Sequence, residues 1–173
     1  MSCMRLSGFL FCFVIASNLF ASAHAEEAVL ALPKDAPILT IEGKIAVTNS
    51  DGKAIFDRGM LEELGMTTVR TMTPWFDDPV IFEGVRADRL MDLVRASGQE
   101  AVAIALNDYR AIVPLSDFTQ YGVILALKRD GKYMPVSDKG PLFIVYPYDS
   151  DPLLQSQQFY ARSVWQLTRL IVR

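Results

Sequence analysis

The chain has 173 residues, 17 Lys and Arg against 20 Asp and Glu, and only two cysteines and one histidine. This weakly acidic balance points away from nucleic acid and anionic membrane surfaces as partners. No repeat, low-complexity segment or linker divides the sequence, and its length is that of one ordinary domain with a core of its own.

Arg5 is followed by an apolar run over residues 6–20 and then by Ala23-His24-Ala25. A basic start, a short apolar stretch and a small-residue site are the three parts of a secretory signal peptide. Residues 1–25 are therefore expected to be cleaved before Glu26, leaving 26–173 as a single exported domain. The apolar run is short for a membrane span, and no lipobox cysteine stands at the cleavage point. Cys3, Cys12 and His24 all lie in the leader; losing Arg5 with it leaves 16 basic residues against 20 acidic. The expected mature chain has neither thiol nor imidazole. Disulfides, Ser-His-Asp or Cys-His catalysis, thiolate or imidazole zinc sites and His-held haem are all excluded for it.

Along the mature chain, residues 32–37 read as an arm containing two prolines. Residues 38–43 are short, β-branched and ended by Gly43; with 45–47 and the turn Asn49-Ser50-Asp51-Gly52 they read as a strand pair or bent strand. Asp57 stands at an N-cap position ahead of Leu61 and Leu64, predicting a short amphipathic helix stopped by Gly65. Residues 66–73 alternate as a strand and lead into a loop, Pro74-Trp75-Phe76-Asp77-Asp78-Pro79. Residues 80–85 are again strand and turn, and Leu90, Leu93 and Val94 give one apolar helix face ending near Gly98. Residues 101–106 form a buried strand, 107–110 a tight connection and 111–113 its continuation. A helical turn around Asp117, a strand at 123–127 and a hairpin turn at Asp130-Gly131 follow. The class is α+β, built on a mixed or barrel-like sheet with short helices.

The stretch 140–173 begins with a Gly-Pro turn, runs through a strand at 142–146, crosses a polar loop and closes on a second strand starting near Ser163. Between the strands lie Tyr146, Tyr148, Asp149, Arg162 and Trp165, flat rings and paired charges that a plain connection does not require. They read as one wall of a ligand site. Ordinary roles compete for several residues. Asn107-Asp108 is standard turn chemistry that Tyr109 would cover, Arg162 has Asp149 and Asp151 as surface partners, and Trp165 sits in an alternating, core-like run. Asp77-Asp78 reads as a solvated pair, with no second acid placed for a glycosidase.

Thr73-Pro74-Trp75, Phe82-Glu83-Gly84-Val85, Asn107-Asp108-Tyr109 followed by Pro114, Gly140-Pro141-Leu142 with Tyr146-Pro147, and the run from Ser163 to Leu167 occur in that order. Together they resemble the oxidoreductase molybdopterin-binding domain, the sulfite-oxidase fold, over nearly all of the chain from Ile38. In its catalytic members a cysteine thiolate following the strand matched by 68–71 holds molybdenum; here Val69-Arg70-Thr71 stands there, and a threonine hydroxyl is a poor substitute for a soft thiolate.

The chain is similar to small cysteine-free periplasmic pterin-binding response proteins. That resemblance implies a non-catalytic receptor that binds a pterin and signals through the periplasmic domain of a membrane diguanylate cyclase or cyclic-di-GMP phosphodiesterase. A pterin wants a ring on its face, a carboxylate at its donor edge and donors at its acceptor edge. The resemblance implies Trp75, Tyr109, Tyr146, Tyr148 and Trp165 for stacking, and Asp108 and Asp149 for the carboxylate. It leaves Arg70, Thr71, Thr73, Asn107 and Arg162 for the other edge. Residues 75–79 and 148–157 would reorder on binding. The alternatives are a molybdopterin-dependent oxidoreductase with atypical metal ligation, and an interaction module whose pocket has filled.

Overall fold

The computed structural model describes residues 30–173, so the expected signal peptide lies outside the described residues. The first sheet is built around β1 (Leu39–Gly43), which pairs antiparallel with β2 (Ala54–Phe56) and parallel with the C-terminal β10 (Leu167–Val172). β5 (Glu100–Ala105) joins β10 on its other side, and β6 (Arg110–Pro114) completes the order β2-β1-β10-β5-β6. The second sheet runs from β3 (Met66–Thr73) through β4 (Phe76–Arg86) to β7 (Ile124–Arg129). The far edge of β7 is shared by β8 (Lys132–Tyr133) and β9 (Phe143–Val145).

The α+β class expected from the pattern holds, but the strands form two open sheets and do not close into a barrel-like one. Their seam is the stretch leading into β10. There the Ile144 amide donates to the Val164 carbonyl at 2.9 Å and the Leu167 amide to the Leu142 carbonyl at 3.0 Å, while Phe143 and Trp165 form a single bridge. One segment of chain thus borders β9 of one sheet before it enters the other.

Helices are short, and among the described residues only the first of the four α-helices starts on a side-chain cap. Asp57 caps α1 (Arg58–Glu63), accepting from the Met60 amide at 2.9 Å; Gly65, at φ 93°, takes the left-handed backbone that ends it. α2 (Ala87–Leu93) buries Ala87, Leu90 and Met91, and α3 (Leu115–Tyr121) buries Asp117 and Phe118 before a left-handed Gly122. Residues 45–47 are not strand; the partner of β1 is β2, which follows the turn at 49–52. Residues 111–113 do not continue β5 but return antiparallel to it.

Two corrections bear on the site. The expected loop 74–79 is a tight turn at Pro74-Trp75, with residues 76–79 already in β4. Pro79 is tolerated because the ladder is irregular between Thr71 and Thr73, where the Met72 amide donates to Asp149 instead of to β4. The polar loop before β10 is also ordered: two 3-10 turns, Tyr148–Ser150 and Pro152–Leu154, lead into α4 (Gln157–Arg162). The alternating run after Ser163 contains no strand until Leu167, because Gln166 takes a left-handed φ of 53°.

Candidate functional site

At the seam of the two sheets lies a cleft enclosing about 340 Å³. Three connections wall it: the β3–β4 turn with Pro74 and Trp75, the β5–β6 turn with Asn107 and Tyr109, and α4 with Gln157, Tyr160 and Ala161. Ser163, Val164 and Trp165 form its back, with Ala105. No lining residue carries a charge, and four of the lining side chains are aromatic.

Trp75 is the hub of this cluster. Its ring meets Phe143, Trp165, Tyr160 and Tyr148 edge to face, at centroid distances of 5.3, 5.6, 6.0 and 6.2 Å. Such T-shaped pairs are favourable and fix the ring's plane. Trp165 remains 36% exposed and Tyr109 47%, so both keep surface to offer a ligand. The Tyr109 hydroxyl donates to the Ala161 carbonyl at 2.9 Å and ties the β5–β6 turn to α4 across the cleft. Asn107 accepts from the Tyr109 amide at 3.1 Å, an Asx turn that leaves its side-chain NH2 free to donate.

Of the residues expected at a site, Trp75, Asn107, Tyr109 and Trp165 line the cleft. Tyr148 lies just beneath it, buried against Trp75 and Tyr160. The Ser163 hydroxyl donates to the Phe159 carbonyl at 2.7 Å, so in the 2.5 Å contact between Tyr148 and Ser163 the phenol is the donor. Burial drives the Tyr148 phenol well above its ordinary range, keeping it protonated. Tyr146 is fully buried; its hydroxyl donates to Asp117 at 2.7 Å, and burial followed by that carboxylate raises its titration too.

The remaining expected residues are engaged elsewhere. Arg162 donates to Asp117 at 2.9 Å and pairs with neither Asp149 nor Asp151. Asp149 accepts from the Met72 amide at 2.8 Å, clipping the 3-10 turn to β3. Asp108 is exposed at φ 62°, the left-handed corner of the β5–β6 turn. Arg70 is exposed on the edge strand β3, and the Thr73 hydroxyl accepts from the Trp75 amide at 3.3 Å.

Thr71 is wholly buried. Its hydroxyl donates to the Met72 carbonyl and accepts from the Asp149 amide, both at 3.1 Å. The side chain standing where a metal-holding thiolate would be expected is thus committed to protein partners on both counts. Among the described residues there is no cysteine or histidine, and no group of three Asp or Glu is placed to hold a metal ion. The donor set does not fit molybdenum.

Sequence reasoning missed Tyr160 and Gln157, because the helix that presents them was read as loop. It also missed Asp117, whose burial has no local signature. A fourth is Lys139, whose ammonium lies 3.9 Å from the centre of the Trp165 ring.

These features define an α+β protein with one mixed and one antiparallel sheet and an aromatic, uncharged cleft where they meet. No family model matches the chain, and no curated protein matches it in sequence. Among solved structures it is similar to a chain of the sulfane dehydrogenase SoxCD from Paracoccus pantotrophus, with a TM-score of 0.57 and 16% identity. The match covers 78% of this chain and 37% of that one. At that identity the likeness shows the fold alone, and this chain spans well under half the length of its structural neighbour. No helix among the described residues is long and apolar enough to cross a membrane.

Proposed function

We propose that this chain is a non-catalytic periplasmic receptor for a pterin, signalling through the periplasmic domain of a membrane diguanylate cyclase or cyclic-di-GMP phosphodiesterase. The observation that carries the reading is the cleft itself: about 340 Å³ with Trp75, Tyr109, Tyr160 and Trp165 around it and the amides of Asn107 and Gln157 among its lining. A flat heterocycle needs ring faces and a few oriented amides. The occupied hydroxyl of Thr71 supports binding without chemistry, since no side chain there offers a free ligand to molybdenum.

The geometry refines the recognition expected from the sequence. Asp108 and Asp149 both stand outside the lining, so the donor edge of the ring is met by neutral acceptors, the carbonyl of the Gln157 side chain among them. A lining without charge favours a ligand whose ring is itself neutral, with charged substituents directed to solvent.

Trp75 and Trp165 are the only tryptophans of the chain, and both line the cleft. Intrinsic fluorescence therefore reports on the site with little background. Titration with 6-methylpterin and with its tetrahydro form is expected to quench that emission saturably, with equilibrium dialysis giving the same affinity. Linear, non-saturating quenching with both ligands overturns the reading. The signalling half is tested by deletion of the gene in its own host: cellular cyclic-di-GMP is expected to change, and to be restored by the intact gene but not by a Trp165→Ala copy.

A further inference from the structure

The Lys139 ammonium, on a half-buried side chain, lies against a group of aromatic rings. It lies 3.9 Å from the centre of Trp165, 5.4 Å from that of Trp75, and 5.9 Å from those of Phe76 and Phe143. No carboxylate pairs with it among the described residues. The neighbouring Asp138 is held by the two terminal guanidinium nitrogens of Arg129, at 3.0 and 2.5 Å. The backbone fixes the position: Lys139 has a left-handed φ of 65°, and its carbonyl accepts from the Gln166 amide at 3.0 Å, one residue beyond Trp165. The Gln166 side chain donates to the Val136 carbonyl at 2.7 Å, closing the same loop from the other side.

Lys139 itself does not line the cleft, whereas Trp75 and Trp165 do. The ammonium covers one face of Trp165, so the cleft receives that ring's other face or its edge. A cation on one face draws the π density toward itself and leaves the opposite face poorer in electrons. A flat ligand stacked there sits about 7 Å from a positive charge whose nearest influential carboxylate, Asp138, is already paired with Arg129, with only an indole between.

We infer that Lys139 is a specificity-determining residue of the cleft, acting through Trp165 to exclude cationic flat heterocycles and to admit neutral ones. This inference rests on the cleft being a ligand site, as proposed above, but not on the ligand being a pterin. It gives the lysine a role that an uncharged side chain of the same length would not fill. Partial burial against the rings, which also pushes the ammonium's titration below that of an ordinary lysine, is tolerated because the π faces replace part of its hydration.

The test uses the intact protein and two probes of similar size, neutral 6-methylpterin and the permanently charged N-methylquinolinium, with affinities read from tryptophan quenching and checked by dialysis. Wild type is expected to bind the neutral probe and to bind the cation at least tenfold more weakly. Lys139→Met and Lys139→Gln are expected to gain about tenfold for the cation while the neutral probe changes less than threefold; Lys139→Arg is expected to behave as wild type. Equal changes for both probes, or no change in either neutral variant, overturn the inference, as does wild type binding the cation as well as the neutral ring. Wild type failing to bind the pterin while the neutral variants still gain the cation would sink the pterin reading and leave this one standing. Failure of every variant to bind either probe overturns both.

Discussion

The Asp117 carboxylate and the Arg162 guanidinium, 45 residues apart in sequence, meet at 2.9 Å, and the same carboxylate oxygen accepts the Tyr146 hydroxyl at 2.7 Å. Their side chains are 7% and 19% exposed, so this is a nearly dry clamp between α3, α4 and the end of β9. α4 presents Gln157, Tyr160 and Ala161 to the cleft, so the clamp holds one wall of the site against the body of the protein.

Removing the carboxylate strands a largely buried guanidinium and a buried phenol together. Asp117→Ala is expected to lose on the order of 3 kcal/mol of stability, and Tyr146→Phe, which leaves the ion pair intact, about 1 kcal/mol. Urea melts of both variants measure this. The double variant Asp117→Ala with Arg162→Met should be no less stable than Asp117→Ala alone, since the stranded charge goes with its partner. Additive losses would show that the three groups do not act as one network.

Ligand binding and stability should separate between the two tryptophans. Trp165 is partly exposed, and Trp165→Ala is expected to weaken pterin binding by at least tenfold at a stability cost of about 1 kcal/mol. Trp75 meets four other rings, and Trp75→Ala should lose binding together with about 3 kcal/mol. Asp108→Ala is expected to leave affinity within twofold and to cost about 1 kcal/mol, because alanine fits its left-handed backbone less well. Loss of binding in Asp108→Ala with retention in Trp165→Ala would move the site to the other side of the turn.

Gly84, in the middle of β4, lets two strands approach. A Cβ there would stand 2.1 Å from the Leu125 carbonyl oxygen and 2.6 Å from the Ala126 Cα, both backbone atoms that cannot swing away. Gly84→Ala is therefore expected to cost about 1–3 kcal/mol, seen as a lower urea midpoint at unchanged m-value. The register shift between Glu83 and Gly84 marks the same crowding.

Asp57 supplies a pH-dependent part of the stability. Its carboxylate accepts from the amides of Met60, Asp35 and Lys34, at 2.9, 3.0 and 2.7 Å, and so fastens the N-terminal arm to the start of α1. The Met60 amide, then that of Asp35, holds its titration below the ordinary 3.8, against the opposing effect of burial. A folded value below the unfolded one means the contribution is complete above the ordinary value and disappears as pH falls through the lowered one. The urea midpoints of wild type and Asp57→Ala should differ at pH 6 and draw together only once the pH falls below the ordinary 3.8. A gap that persists unchanged into acid would assign the loss to packing rather than to charge.

Much of the fold was legible because its signals are local. The Asp57 cap, the Gly65 stop, the alternation of 66–73 and the Asp130-Gly131 hairpin each depend on a few neighbouring residues, and each is found. The misreadings fall where distant partners decide. The stretch 148–162 is polar and aperiodic, and its 3-10 turns and α4 are stabilised by Asp149 on β3, Arg162 on Asp117 and Phe159 against Tyr146. None of those contacts has a trace in the local pattern.

The same division runs through the site. Composition alone settled that residues 30–173 contain neither thiol nor imidazole, since that is a matter of which side chains exist and not of where they lie. Which aromatic rings share a cleft, which carboxylates are consumed inside the fold, and that Lys139 stands against Trp165 were decided only by the tertiary structure. Stacking, ion pairing and cation–π attraction all act over a few ångströms, and only chain closure brings these residues within that reach.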